Sequence, residues 1–324
     1  MGALHTRNHM DTDQKASCRL LPDNDELPLQ TPTISTQGRC HLLQRPLDHT
    51  DPVDRQIGRL PPRLRWAAGV ARLTVREPAD GLDRALVRAR LLVRGRQPGH
   101  TYTPDSDWHE RLHRKLGLAW PCAATADFET VWDGVVDAVR QQGLSLGRGT
   151  YGGWDDGDAG FARAIWCLTS HLRPRKVVET GVARGITSRV VLEALERVGG
   201  GRLWSIDLPA LDPTLHSEIG IAVPERLHGQ WTYLTGTSRR RLPKLLAQTA
   251  PIDLFIHDSS HTERNVSFEL EQAWGAIRRG AIVADDIQQS AAFASFSSRT
   301  PSATSFVVDA DDGSAQFGIV LKGF

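Results

Sequence analysis

At 324 residues, 40% of them hydrophobic and 24% charged, the chain has material for a substantial core, either in one large domain or in a domain of ordinary size with an extension. The formal net charge of +1 hides a local imbalance: between Arg59 and Arg96 ten arginines face only Glu77, Asp80 and Asp83, so that segment, and not the whole chain, is suited to meet something anionic. No apolar run approaches a membrane span and no signal-peptide core opens the chain; Cys18, Cys40, Cys122 and Cys167 form neither a CxxC pair nor a dense framework, which reads as reduced thiols in a cytoplasmic protein.

Residues 1–58 lack a sustained apolar period and are broken by Pro, Asp, Asn, Thr and Gln, the pattern of a disordered segment. The Met-Gly-Ala-Leu-His-Thr opening fits only a loose myristoylation pattern and is read as chance. Residues 59–158 read as a basic helical extension or lid. Within them Leu82, Ala85, Leu86, Ala89, Leu92 and Val93 share one face of a helix over 82–94, with Arg84, Arg88, Arg90 and Arg94 elsewhere on it. Three roles fit such a helix: packing on a main domain, docking at a membrane surface, and contact with an anionic substrate. Nucleic acid is disfavoured, because the arginines are not interleaved with aromatics. A second helix over 127–142 repeats through Phe128, Val131, Trp132, Val135, Val136 and Val139 and stops at Gly143. The following glycines, from Gly147 to Gly157 around Tyr151 and Trp154, suggest a flexible hinge or lid.

Residues 159–324 then alternate helix and strand. Helices are expected at 160–172, through Val190, Val191, Ala194, Leu195 and Val198, and over 265–279 up to Gly280; strands at 176–180, 203–207, 231–236, 252–257 and 281–284. This is the pattern of an α/β domain, a mostly parallel sheet covered on both faces, with ligands at the carboxyl ends of its strands. Two last runs, 304–309 and 316–321, flank Ala-Asp-Asp-Gly-Ser and read as an antiparallel hairpin.

Glu179-Thr-Gly181-Val-Ala-Arg-Gly185 follows the first strand and opens a helix, which lets backbone and a helix N-terminus approach a ligand. A dinucleotide fingerprint needs glycine where Ala183 and Ile186 stand, and a P-loop needs GK[ST]; both are absent. The remaining E-x-G-x-x-x-G resembles motif I of class I S-adenosylmethionine-dependent methyltransferases. That resemblance implies a Rossmann-like, seven-stranded sheet ending in an antiparallel hairpin, with Glu179, Gly181 and Gly185 around the methionine part of S-adenosylmethionine. It also implies Asp207 on the ribose hydroxyls and Gly236-Thr237-Ser238 near the adenine. Read without the resemblance, the glycines form a tight turn and Asp207 caps a helix.

His257-Asp258-Ser-Ser-His261 ends the fourth strand and Asp285-Asp286 the fifth; on neighbouring strands these ends lie about 5 Å apart. Carboxylates so close need a cation, a shared proton or separation by orientation, and oxygen donors suit Mg2+. The stretch from Phe255 through Ile287 resembles the methyltransferase-24 group and, more distantly, macrolide-sugar O-methyltransferases and cephalosporin-hydroxylase-like proteins. The resemblance implies Asp258, Asp285 and Asp286 as metal ligands, Asp258 also beside the cofactor, and His261 as general base. The implied reaction is methylation of a hydroxyl on a small molecule such as a sugar. A metal-independent methyltransferase and a fold-keeping binding protein without turnover are the alternatives. His261 as a helix cap or partner of Asp258, and the acid pair as caps of the next helix, are the structural readings of the same residues; His257, one residue out of phase with Asp258, is expected to face away.

Overall fold

The computed structural model describes residues 52–94 and 99–324. The segment 1–51 of the expected disordered stretch lies outside the described residues. Its last part does not fit that expectation: Pro52–Gly58 forms helix α1 and buries Ile57. Helices α2 (Pro62–Arg76) and α3 (Pro78–Arg94) follow as a hairpin, then α4 (Trp108–Leu116) and α5 (Thr125–Gln141). The run of glycines is not a free hinge. It folds as an antiparallel pair, β1 (Gly147–Tyr151) with β2 (Trp154–Asp156).

From α6 (Ala159–Leu172) onward the chain alternates β3 (Lys176–Thr180), α7 (Ile186–Arg197), β4 (Arg202–Asp207), β5 (Trp231–Thr235), α8 (Ser238–Thr249), β6 (Ile252–His257), α9 (Glu263–Ala276) and β7 (Ile277–Ala284). Helix α10 (Ala292–Arg299) and the strands β8 (Thr304–Asp309) and β9 (Gln316–Lys322) complete it. The sheet runs β5-β4-β3-β6-β7-β9-β8, with only the β7–β9 and β8–β9 pairs antiparallel. The first five strands thus keep the 3-2-1-4-5 order of doubly wound nucleotide folds, and the switch point lies between β3 and β6. The antiparallel hairpin then closes the edge.

Alternation explains the layers. Val177, Leu254, Ile256 and Val283 face Phe161, Ile165, Leu168, Val191 and Leu195 of α6 and α7, while Val178, Phe255 and Ile282 face Leu242, Leu245, Val266, Leu270 and Phe293 of α8, α9 and α10. Strands buried on both faces read as continuous apolar runs, which is why they stand out in the sequence. Helix α5 joins this body through Phe128, Val135 and Val139 against Trp166, Val190 and Ala194. One boundary differs from expectation: the helix expected over 265–279 stops at Ala276. Ile277 is buried, takes extended backbone and pairs with Ile252, so tertiary pairing claims the last three residues of the expected helix, whose spacing also suits a helix.

The α2–α3 hairpin also differs. The apolar face of α3 does not pack on the domain: Leu82, Leu86, Leu92 and Val93 are exposed, Val93 to 82%. The hairpin meets the domain through the close approach of buried Gly69 in α2 to Leu211 and through a series of ion pairs. Arg65 bonds Asp212 (3.0 Å), Glu77 meets Arg240 (3.5 Å), Asp80 meets Arg239 (3.7 Å) and Asp83 meets Arg264 (3.7 Å). Those partners follow β4, β5 and β6, so the hairpin covers the carboxyl edge of the sheet. No helix among the described residues is long and apolar enough to cross a membrane.

Candidate active site

Hydrogen bonds continue past the strand ends and keep the edge in register. Gly181 N donates to Ile206 O and Asp258 N to Thr180 O (both 2.8 Å), and Asp285 N donates to His257 O (2.9 Å). The residues that follow β3, β6 and β7 are therefore neighbours. At Gly181 (φ 88°) a Cβ would stand 1.9 Å from the Asp258 carbonyl oxygen, and at Gly185 (φ 78°) one would stand 2.9 Å from Gly220 Cα. Only glycine permits both that approach and that backbone. Gly185 is also the residue that starts α7, directing its free N–H groups into the edge.

Glu179 is fully buried. Its Oε2 accepts from Ser188 and Ser205 (both 2.6 Å), whereas its Oε1 is buried with no hydrogen-bond partner. Burial raises its carboxyl to about 7, against the two serine bonds, and Asp207 adds to the rise. Asp207 accepts from Val182 N (3.3 Å) and Tyr233 Oη (3.2 Å); burial raises it, and these bonds oppose the rise. Ser238 opens α8 and donates to Asn265 Oδ1 at 3.1 Å, so its hydroxyl is turned toward α9.

Asp258, His261 and Asp285 bring one donor atom each within 4.8 Å of one another. Burial raises both carboxyls well above their ordinary value. Glu179 and Asp286 push Asp258 further, and Asp286 and Asp258 do the same to Asp285. His261 is driven the other way, to about 4, by burial against the pull of Asp286, so its ring is neutral near pH 7. Asp286 stands apart from the three. It sits in left-handed backbone (φ 52°), its oxygens accept from Gln288 Nε2 (2.9 Å) and Gln289 Nε2, and it approaches His261 Nε2 at 3.7 Å. The expected trio of acids is thus rearranged into two acids and a histidine, with the third acid behind the histidine.

His257 does not face away as its phase implies: its ring stands edge-on to that of His261 (centroids 5.4 Å apart, 86° between planes), while its Nδ1 forms a buried pair with Glu269 Oε2 (2.6 Å). Burial favours protonation of Glu269, but the His257 charge and the hydrogen bonds from His257, Ser238 and Thr180 outweigh it and hold the carboxyl at about 2. Glu269 also takes Ser259 (2.8 Å) and Asn265 (2.9 Å), which pins the loop carrying His261. His261 does not cap α9; Thr262 does.

Three more residues belong to the edge; Arg184 and Glu269 were not singled out from the sequence, and Arg84 was named only among the arginines of its helix. Arg184, 2% exposed, fastens the glycine loop to the β1–β2 hairpin: it bonds Ser145 O (2.7 Å), Thr150 O (2.8 Å), Asp156 (3.1 Å) and Glu218 (2.7 Å). Arg84 of α3 lies close enough for its charge to act on both Asp207 and His261. Glu269 carried a signal, since it shares the helical face of Val266, Leu270 and Ala273. Arg184 and Arg84 carried none beyond their charge.

A doubly wound sheet closed by a terminal antiparallel hairpin, with a glycine loop after the first strand and an acid after the second, is the Rossmann-like class I methyltransferase fold. Residues 178–287 match the methyltransferase-24 family model, described as a methyltransferase domain. No curated protein matches the chain. Similar solved structures include a Bacillus cereus O-methyltransferase in complex with SAH (15% identity, 60% of this chain and 90% of that one, TM-score 0.46). Others are a Streptomyces achromogenes O-methyltransferase involved in tomaymycin synthesis, in complex with SAM (17%, 59% and 89%, 0.45), and a Geobacter sulfurreducens methyltransferase (16%, 66% and 96%, 0.42).

Proposed function

We propose that the protein transfers a methyl group from S-adenosylmethionine to a hydroxyl of a small molecule, with His261 as the general base. The observation that carries this reading is the meeting of Asp258, His261 and Asp285 at the edge that also holds the glycine loop and Asp207. S-adenosylmethionine supplies a methyl group activated by a sulfonium. The residues suit that cofactor: the partnerless buried Oε1 of Glu179 is an acceptor for its ammonium, and Asp207, with two hydrogen bonds made, keeps lone pairs for ribose hydroxyls.

The two buried carboxyls of Asp258 and Asp285 are oxygen donors that fit a divalent cation such as Mg2+, which leaves the His261 ring beside them free to act as base, with Asp286 behind it. A cation there would lower the pKa of an acceptor hydroxyl. His261 takes the hydroxyl proton, and Asp286, at 3.7 Å, stabilises the imidazolium that results. Glu269, Ser259 and Asn265 keep the His261 loop in place, and the α2–α3 hairpin keeps water from the edge. Arg84 beside the site favours an acceptor that carries a negative group. A second reading, methyl transfer without metal, is favoured by the raised carboxyls of Asp258 and Asp285, which are able to share a proton in place of a cation.

The test is calorimetry of the full chain with S-adenosylmethionine, followed by mass detection of methyl transfer to a panel of sugars, phenols and hydroxy acids. The assays are run after chelation and after Mg2+ is restored. Absence of cofactor binding defeats the proposal; transfer indifferent to both chelation and Mg2+ selects the metal-free reading.

A further inference from the structure

A second group of metal-ligating side chains lies away from the sheet edge, and it ties the extension to the domain. The sequence His109-Glu-Arg-Leu-His113 places its two histidines at i and i+4, on one face of α4. Gly117, in left-handed backbone, ends that helix and turns the chain back, bringing Cys122 to the same face. Cys167 comes from α6, the first helix of the methyltransferase domain. One donor atom from each of the four lies within 4.8 Å of the others.

The separations are those of a preformed coordination shell. Zn–S bonds of about 2.3 Å and Zn–N bonds of about 2.0–2.1 Å at tetrahedral angles place two sulfurs about 3.8 Å apart and a sulfur and nitrogen about 3.5 Å apart. Cys122 Sγ is 3.8 Å from Cys167 Sγ, and Cys167 Sγ is 3.7 Å from His113 Nε2. The second shell fits as well. His113 Nδ1 lies 2.8 Å from the His109 carbonyl oxygen, to which it donates, so the lone pair falls on Nε2, the nitrogen that faces the sulfurs. His109 Nε2 is buried without a hydrogen-bond partner. His171 Nε2, 3.2 Å from Cys122 Sγ, is placed to donate to a thiolate. Trp120 covers the outside, its ring 4.5 Å from that of His109 and 5.1 Å from that of His113.

We infer that His109, His113, Cys122 and Cys167 form a closed, tetrahedral Zn2+ site that staples the N-terminal extension to the methyltransferase domain. Both cysteines bind as thiolates, and their protons pass to solvent as the ion enters. Two rival chemistries fit less well. His-Glu-x-x-His is also the spacing of zinc peptidases, but there a water needs an open position and the glutamate must face it. Here four protein donors fill the shell, and Glu110 lies on the outer face, paired with Arg114 at 2.7 Å. A disulfide needs sulfurs about 2.05 Å apart, whereas Cys122 and Cys167 are free thiols.

The test is metal analysis of the full chain purified without added chelator. About one zinc per chain is expected, as for a four-donor structural site. Cys122→Ser and His109→Ala should each lose most of it, and Asp258→Asn with Asp285→Asn should keep it, which separates this site from the sheet edge. Because a variant at a buried donor is able to fail by misfolding, stripped wild-type protein is also titrated with Co2+. Thiolate-to-cobalt charge-transfer absorption, displaced by Zn2+, and a melting temperature restored by Zn2+ are expected. Wild-type protein that carries no zinc and gives no such absorption overturns the inference, as does full zinc content in a folded Cys122→Ser, Cys167→Ser double variant.

Discussion

Glu179→Gln should convert a pH-dependent cofactor site into a pH-independent one. The wild-type carboxyl titrates at about 7 in the folded chain against 4.5 for its ordinary value. Because the folded pKa is the higher one, the folded state holds a proton that the unfolded chain releases. Its contribution to stability is fully present below pH 4.5 and is lost as pH rises to about 7. At about 1.4 kcal/mol per unit, the loss is on the order of 3 kcal/mol for the cofactor-free protein. A glutamine keeps acceptors for Ser188 and Ser205 but never ionises, so the variant should be more stable than wild type above pH 7, and equal to it near pH 4.5. Cofactor affinity has the opposite trend, because the ammonium needs the carboxylate. Below pH 7 wild-type affinity should fall about tenfold per pH unit, and the variant should bind weakly at every pH. Urea unfolding and calorimetry between pH 5 and 8 read both effects. Parallel stability profiles for the two proteins, or a variant that binds S-adenosylmethionine as tightly as wild type at pH 8, would refute the placement of the ammonium at Glu179.

His261→Ala should bind the cofactor normally in calorimetry and lose roughly 10²–10⁴ in turnover, as for removal of a general base; unchanged turnover removes that role. Gly181→Ala faces the Asp258 carbonyl oxygen at 1.9 Å in left-handed backbone, so it should lower the melting temperature and abolish cofactor binding. A stable variant with intact binding would show that the loop is free to move away. Asp80→Asn removes one anchor of α3 on Arg239 and should speed amide exchange in α3 by a few fold while the sheet keeps its protection, read by mass spectrometry. Acidification through the range from 4.5 to about 2 should unlock the His257–Glu269 pair. That stability is present above the ordinary carboxyl range and disappears as Glu269 gains its proton, and Glu269→Gln should flatten this limb of the unfolding profile.

The parallel strands were legible because two covered faces demand apolar residues at most positions, and the tight glycine loop after β3 because close approach and left-handed backbone leave glycine no substitute. The convergence of Asp258 and Asp285 was legible as well, since adjacent parallel strands fix the spacing of their ends. What sequence left hidden depends on partners remote in the chain. Ile277 lies in a helical period and becomes strand because Ile252 pairs with it. Asp286 and Asp285 look equivalent until the left-handed turn at Asp286 sends one of them to Gln288 and Gln289. The leucines of α3 look like the docked face, yet Asp80 and Asp83 at its start meet Arg239 and Arg264, and Glu77 just before it meets Arg240. The histidine pair of α4 was within reach at its own spacing, but its cysteine partners are scattered along the chain and meet only in three dimensions.

A cover latched by charge behaves unlike one seated on oil. Warming strengthens apolar contact over much of the physiological range, whereas dissolved ions weaken partly exposed ion pairs. With the leucines of α3 turned outward and its anchors on Asp212, Arg239, Arg240 and Arg264, the α2–α3 hairpin should loosen as ionic strength rises, and faster amide exchange in α3 at high salt would read that loosening.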